Sequence, residues 1–95
     1  MTFTVYKYEL IPNDKGICYV KLPMGYKVLS AGVQDTSIFI WVRVYPNERW
    51  KLDVPFAVVP TGSLAGQTFP NQEFIDTVFM GPYVLHIFRI ISKSI

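Results

Sequence analysis

The residues richest in chemistry lie in one short run, SIFIWVRVYPNERW at 37–50. In an extended strand, alternate side chains point to opposite faces. The run therefore divides into Ile38, Ile40, Val42 and Val44 on one side and Phe39, Trp41, Arg43 and Tyr45 on the other. The first set makes a core face. The second carries three aromatic rings and a guanidinium, which suits either of two tasks. One is a stacking platform: a ring offers a flat partner to a nucleobase, worth about 1–3 kcal/mol per base, and a neighbouring arginine bonds phosphate through a bidentate fork. The other is a subunit interface or second core layer, because interfaces are enriched in aromatic residues and arginine.

Two further groups can accompany that face. Thr61-Gly62-Ser63 begins the longest irregular stretch, TGSLAGQTFPNQ at 61–72. Glycine lets backbone N–H groups approach an anion, and the two hydroxyls add donors; an ordinary turn is the plainer reading. His86 sits between apolar neighbours in YVLHIFRI, either as a satisfied structural residue or as a donor to a ligand. Arg89, three residues later, falls on the opposite strand face, so the two are not expected to serve one site.

Catalytic patterns are missing. A lone His86 and a lone Cys18 fall short of the roughly four N or S ligands of a structural zinc site, so neither metal nor cofactor is expected. Cys18, in ICYVKL, reads as inert core. Asp14, Asp35 and Glu48 fall in turns, while Glu9, Asp53, Glu73 and Asp76 fall in or beside strands, where an exposed face is the simplest reading. Gly62 and Gly66 match neither a P-loop nor a dinucleotide fingerprint, and Ser63 lacks a nucleophile elbow. The expectation is a binding protein and not an enzyme.

The elements that must position these groups are strands. Alternating segments occur at 2–11, 17–22, 27–34, 37–45, 50–60, 73–80 and 83–91, separated by turn signals such as PNDKG, Pro23 with Gly25, Asp35-Thr36 and Gly81-Pro82. Gly32 marks a bulge or a close backbone approach, and Pro55 argues for an edge position or a bulge. The final SKSI is expected to fray. No segment keeps a 3.6-residue apolar period with caps, although one helical turn near 71–76 is compatible with the pattern. The fold class is all-β: one domain over 1–95, a compact antiparallel sandwich or open barrel of about seven strands.

Composition narrows the partners. Hydrophobic residues make up 51% and aromatic residues 16%, while charged residues reach only 17%, against about 25% in a usual domain. A 95-residue chain cannot bury that surplus in one core, which implies a homo-oligomer, a wide aromatic binding face, or both. Nine Lys plus Arg against seven acids give a net charge of +2, too weak and too dispersed for a duplex nucleic-acid binder. A single cysteine fits a reducing compartment, and no apolar run approaches the ~18 residues of a membrane span. With no leader pattern at its start, the chain is expected to be soluble and cytoplasmic.

The order of VYKYEL, LPMGYKVLSAGVQ, FIWVRV, FAVVPTG and FIDTVFMGPYVLHIF resembles a family of small proteins encoded by tailed bacteriophages. These pieces span most of the chain; 46–50 and 63–72 match no family pattern. The resemblance implies a phage origin, a β-rich fold and no enzymatic activity. It also suggests kinship with nucleotide sponges, which sequester the cyclic-nucleotide signals of bacterial immunity. Carried over by motif, the matching positions are Trp41 in FIWVRV, Thr61 and Gly62 in VPTG, and His86 in VLHIF; Arg43 joins them because it shares the face of Trp41. The expected ligand is a cyclic dinucleotide such as cyclic GMP-AMP, captured in the host cytoplasm. Trp41 would stack on a base with Phe39 or Tyr45 as a second surface, Arg43 would meet phosphate, Thr61, Gly62 and Ser63 would bond phosphate or ribose, and His86 would donate a hydrogen bond from a neighbouring strand. The rival readings are a protein inhibitor of a host defence enzyme and a small virion or assembly protein.

Overall fold

Period-two alternation becomes seven strands in the computed structural model, which describes residues 2–64 and 71–91. They are β1 (Thr4–Leu10), β2 (Ile17–Pro23), β3 (Lys27–Gln34), β4 (Ser37–Val44), β5 (Lys51–Pro60), β6 (Gln72–Met80) and β7 (Tyr83–Ile90). No helix occurs among the described residues; β6 already runs through most of 71–76, where a helical turn was compatible with the sequence. Residues 65–70 of the long loop and the SKSI tail lie outside the described residues.

The strands form two antiparallel sheets and no closed barrel. Sheet A has the order β1-β4-β3, and sheet B the order β2-β5-β7-β6. β4 is central in sheet A, and its even-numbered residues Ile38, Ile40, Val42 and Val44 are all at most 4% exposed. Facing them from sheet B are Cys18, Val20, Leu22, Val54, Phe56, Val58, Val78, Leu85 and Ile87, in one continuous core. Because side chains alternate, burying these residues turns every intervening side chain toward the outside of its own sheet. The sandwich therefore has two distinct outer faces, and the thin axis of the molecule spans 19 Å.

Local irregularities have identifiable causes. Pro55 lies in β5, an interior strand of sheet B, but pairs with Tyr19 on one side, while the pairing with β7 begins only at Phe56. The missing N–H thus falls at a local edge within an interior strand. A register shift between Val28 and Ser30 bulges β3, and another between Phe74 and Asp76 bulges β6. These two bulged strands meet at one side of the sandwich. There Asp76 is half-buried: its Oδ2 accepts the Ala31 N–H of β3 at 3.1 Å, and its Oδ1 accepts the Thr77 N–H at 2.9 Å. An exposed-face role for Asp76 is thereby corrected, because the carboxylate clamps an edge strand of sheet A to sheet B.

Candidate ligand-binding face

On β4 the odd-numbered set Phe39, Trp41 and Arg43 lies half-buried on the outer face of sheet A, with Tyr45 just beyond the strand end. Register supplies their neighbours. β1 sets Val5 beside Arg43, Lys7 beside Trp41 and Glu9 beside Phe39. β3 sets Lys27 beside Arg43, Ser30 beside Trp41 and Gly32 beside Phe39. Gly32 is the close approach anticipated from sequence. A Cβ built there would stand 3.0 Å from the six-membered ring of Trp41, so the indole rests on bare backbone. That seat holds a large ring on the outer surface of the sheet, with no second layer over it among the described residues.

Cations border the rings. Lys7 Nζ lies 4.5 Å from the Phe39 centroid and donates to Gln34 Oε1 at 2.8 Å. The Arg43 guanidinium carbon lies 5.5 Å from the Tyr45 centroid. Arg43 and Lys27 are direct cross-strand partners, an arrangement in which like charges repel. Among the described residues Arg43 makes no ion pair, and its Nε is buried without a hydrogen-bond partner. Lys7, Lys27 and Arg43 face a single acid, Glu9, so this surface carries a local charge of +2.

The other expected site residues stand elsewhere. His86 alternates with the buried Leu85 and Ile87 and so faces out of sheet B. Its Nε2 lies 2.8 Å from Thr61 Oγ1 and its Nδ1 3.0 Å from Thr77 Oγ1. Both nitrogens are thus engaged within the chain, which is the structural role weighed for this histidine. Thr61 continues the β5–β7 pairing through its N–H to the Val84 carbonyl at 3.0 Å. Gly62 adopts φ +88°, the turn conformation that glycine takes without strain, and Ser63 N–H donates to the Pro60 carbonyl. Ser63 also borders a cleft of about 450 Å³ at one end of the sandwich, with Asn13, Lys15, Pro60 and the inner-facing Ile38. The single composite pocket expected from sequence is therefore not assembled within one chain. Phe39, Trp41, Arg43 and Tyr45 belong to sheet A, whereas Thr61, Gly62 and Ser63 follow the end of β5 in sheet B, and His86 lies on that sheet's far surface.

Other groups behave as their surroundings dictate. Cys18 is buried, and burial pushes its thiol up to about 12, as inert core requires. Arg89 points inward, opposite to His86 as expected. Its Nε donates to Glu73 Oε1 at 2.9 Å, and Nη1 to the Tyr26 hydroxyl at 3.3 Å. This pair lines a second cleft of about 450 Å³ together with Lys27, Val28, Phe74 and Ile75. The hydrogen bond and charge of Glu73 together with the Tyr26 contacts hold Arg89 above its ordinary value, outweighing the opposing effect of burial. No group of three or more metal-ligating side chains occurs among the described residues. No helix among them is long and apolar enough to cross a membrane.

Sequence reasoning missed Lys7, Lys27 and Gly32 as partners of the aromatic face. The alternation in VYKYEL and KVLSAGVQ already placed each on a definite strand side. Only the pairing of β1 and β3 with β4 makes them neighbours of Trp41 and Arg43.

Fold and face together define a seven-stranded antiparallel sandwich that carries an aromatic and cationic surface on its smaller sheet. The chain belongs to the family defined by a domain of unknown function, DUF7352, whose model matches residues 1–94. Neither the curated proteins nor the solved structures contain a match to it.

Proposed function

We propose that this protein is a non-enzymatic binder that captures a planar, anionic small molecule of the nucleotide class on the outer face of sheet A. In its finer form, drawn from the resemblance to small phage proteins, it is a phage sponge. It sequesters a cyclic nucleotide messenger of host immunity in the host cytoplasm and so blocks defence.

The observation that carries the reading is the Arg43 neighbourhood. Two cations, Arg43 and Lys27, are paired across adjacent strands, and the Arg43 Nε–H has no partner among the described residues. The rings of Trp41 and Tyr45 flank it on the same strand side. A phosphate would relieve the like-charge pairing and accept the orphan donor, while an attached base would lie on the Trp41 ring. Thr61, Gly62, Ser63 and His86 have no part in this site within one chain. An anionic ligand without a ring would leave the aromatic surface unused, and an apolar ligand would leave the cations unpaired.

Incubation with a panel of cyclic di- and trinucleotides, followed by denaturation and analysis of what is released, tests the proposal. Depletion from solution with intact ligand recovered is the expected result. Altered ligand would mean an enzyme. No depletion across the panel would remove the messenger reading and shift weight to an inhibitor that uses the same face on a protein.

A further inference from the structure

The outer face of sheet B has a different character. Its cross-strand rows are Tyr19 beside Pro55; Ile17, Ala57, Phe88 and Phe74; Val59, His86 and Thr77; and Val84 beside Phe79. Phe79 is 69% exposed, Tyr19 68% and Phe74 57%, and Phe74 meets Phe88 edge-on with centroids 5.7 Å apart. These rows carry no formally charged side chain. The ion pair of Lys21 with Asp53 lies beyond them, one row past Tyr19 and Pro55.

The histidine at the centre of this face is already satisfied, while the Tyr19 hydroxyl stands at its edge. Thr61 and Thr77 occupy the two ring nitrogens of His86. Covering the surface with apolar atoms would therefore strand no ring nitrogen, which removes the usual penalty for burying a polar side chain. A surface with outward rings and internally closed hydrogen bonds is prepared for an apolar partner.

We infer that this face is the contact between two copies of the chain, stacked sheet on sheet. The apolar surplus of the chain calls for a second copy as occupant, and charge decides which face receives it. In a two-fold contact each patch meets itself, so any net charge on it repels its mate. Among the described residues the outer face of sheet B bears none, whereas that of sheet A carries Lys7, Lys27 and Arg43 against Glu9 and would repel its own copy. Sheets commonly pack face to face about 10 Å apart with their inner side chains interdigitated. Area agrees in order of magnitude. Strands ~4.8 Å apart and side-chain rows ~6.8 Å apart give the eleven side chains of these rows a flat footprint of about 360 Å². Protruding rings enlarge it toward the roughly 800 Å² that each partner contributes to a stable interface. Such a dimer leaves both copies of the ligand face turned outward. The inference is independent of the ligand reading, because the two faces share no side chain.

Sedimentation or light scattering at about 100 μM would give twice the mass of one chain for the wild type. Phe79→Glu should return the mass to that of a monomer with an unchanged circular dichroism spectrum, since the ring is largely solvent-exposed and its loss opens no cavity. Tyr19→Glu, at the opposite edge of the same face, should do likewise and stands in if the first variant misfolds. Lys7→Ala, on sheet A, should keep the dimer mass. A wild-type monomer at that concentration overturns the inference, as does an assembly that survives both glutamate substitutions.

Discussion

The two outer faces of the sandwich are built on the same alternation yet present opposite chemistry. On sheet A, rings are interleaved with cations, one indole lies on a glycine, and a guanidinium nitrogen lacks a partner. On sheet B, rings and aliphatic side chains surround a histidine whose nitrogens are both engaged. The first leaves electrostatic demands open, which is why a charged guest is proposed for it. The second closes the demands of its histidine internally, which is why an apolar partner is proposed for it. Exposed aromatic residues thus indicate binding in general; the state of the neighbouring polar groups distinguishes the kinds.

Breaking both faces at once should give the largest effect. Phe56 is fully buried between the sheets, and Phe56→Ala is expected to cost about 3–5 kcal/mol in urea unfolding through lost packing and a residual cavity. Ligand capture and self-association should then disappear together. Retention of either one at full strength in a destabilised variant would show that the faces do not depend on the common core.

The junction between the sheets offers a smaller perturbation. Asp76→Ala removes the acceptor of the Ala31 N–H and should cost about 1–3 kcal/mol. The Ala31 amide should also exchange its hydrogen faster, by more than any change at the outer rows of sheet B. An unaltered exchange rate would mean that the clamp does not hold β3.

Substitution at Arg43 should separate stability from binding. Arg43→Met relieves the repulsion from Lys27 and retains much of the aliphatic packing, so stability should hold or rise by about 0.2–1 kcal/mol. Nucleotide capture should fall in the same variant. A loss of stability would mean that the guanidinium serves the fold and not a guest. At the small end, Asp53→Asn removes a carboxylate whose ion pair with Lys21 is about two-thirds exposed on both sides. The stability change should stay below about 1 kcal/mol and diminish in salt.

Much of the fold was legible because strand period and burial coincide. The alternation at 37–44 already separated Ile38, Ile40, Val42 and Val44 from Phe39, Trp41 and Arg43, and the turns at Asp35-Thr36 and Gly81-Pro82 fell where hairpins form. Strand order was not legible. Nothing local in VYKYEL says that β1 will lie beside β4, so Lys7 could not be set next to Trp41, nor Lys27 opposite Arg43. Motif resemblance grouped His86 and Thr61 with Trp41, and without strand order nothing local could show that register assigns them to the other sheet. Bulges were equally hidden: the shift at Val28 and Ser30 depends on how β3 fits its partner, and β3 carries Gly32 beneath the indole.

The sharpest measurement is a parallel titration of the wild type, Trp41→Ala and His86→Ala with each cyclic nucleotide of the panel. If sheet A holds the guest, Trp41→Ala weakens binding at least about tenfold, roughly 1.4 kcal/mol, while His86→Ala binds as the wild type does. Unchanged affinity in a folded Trp41→Ala variant, or a loss confined to His86→Ala, would contradict the assignment of the binding face.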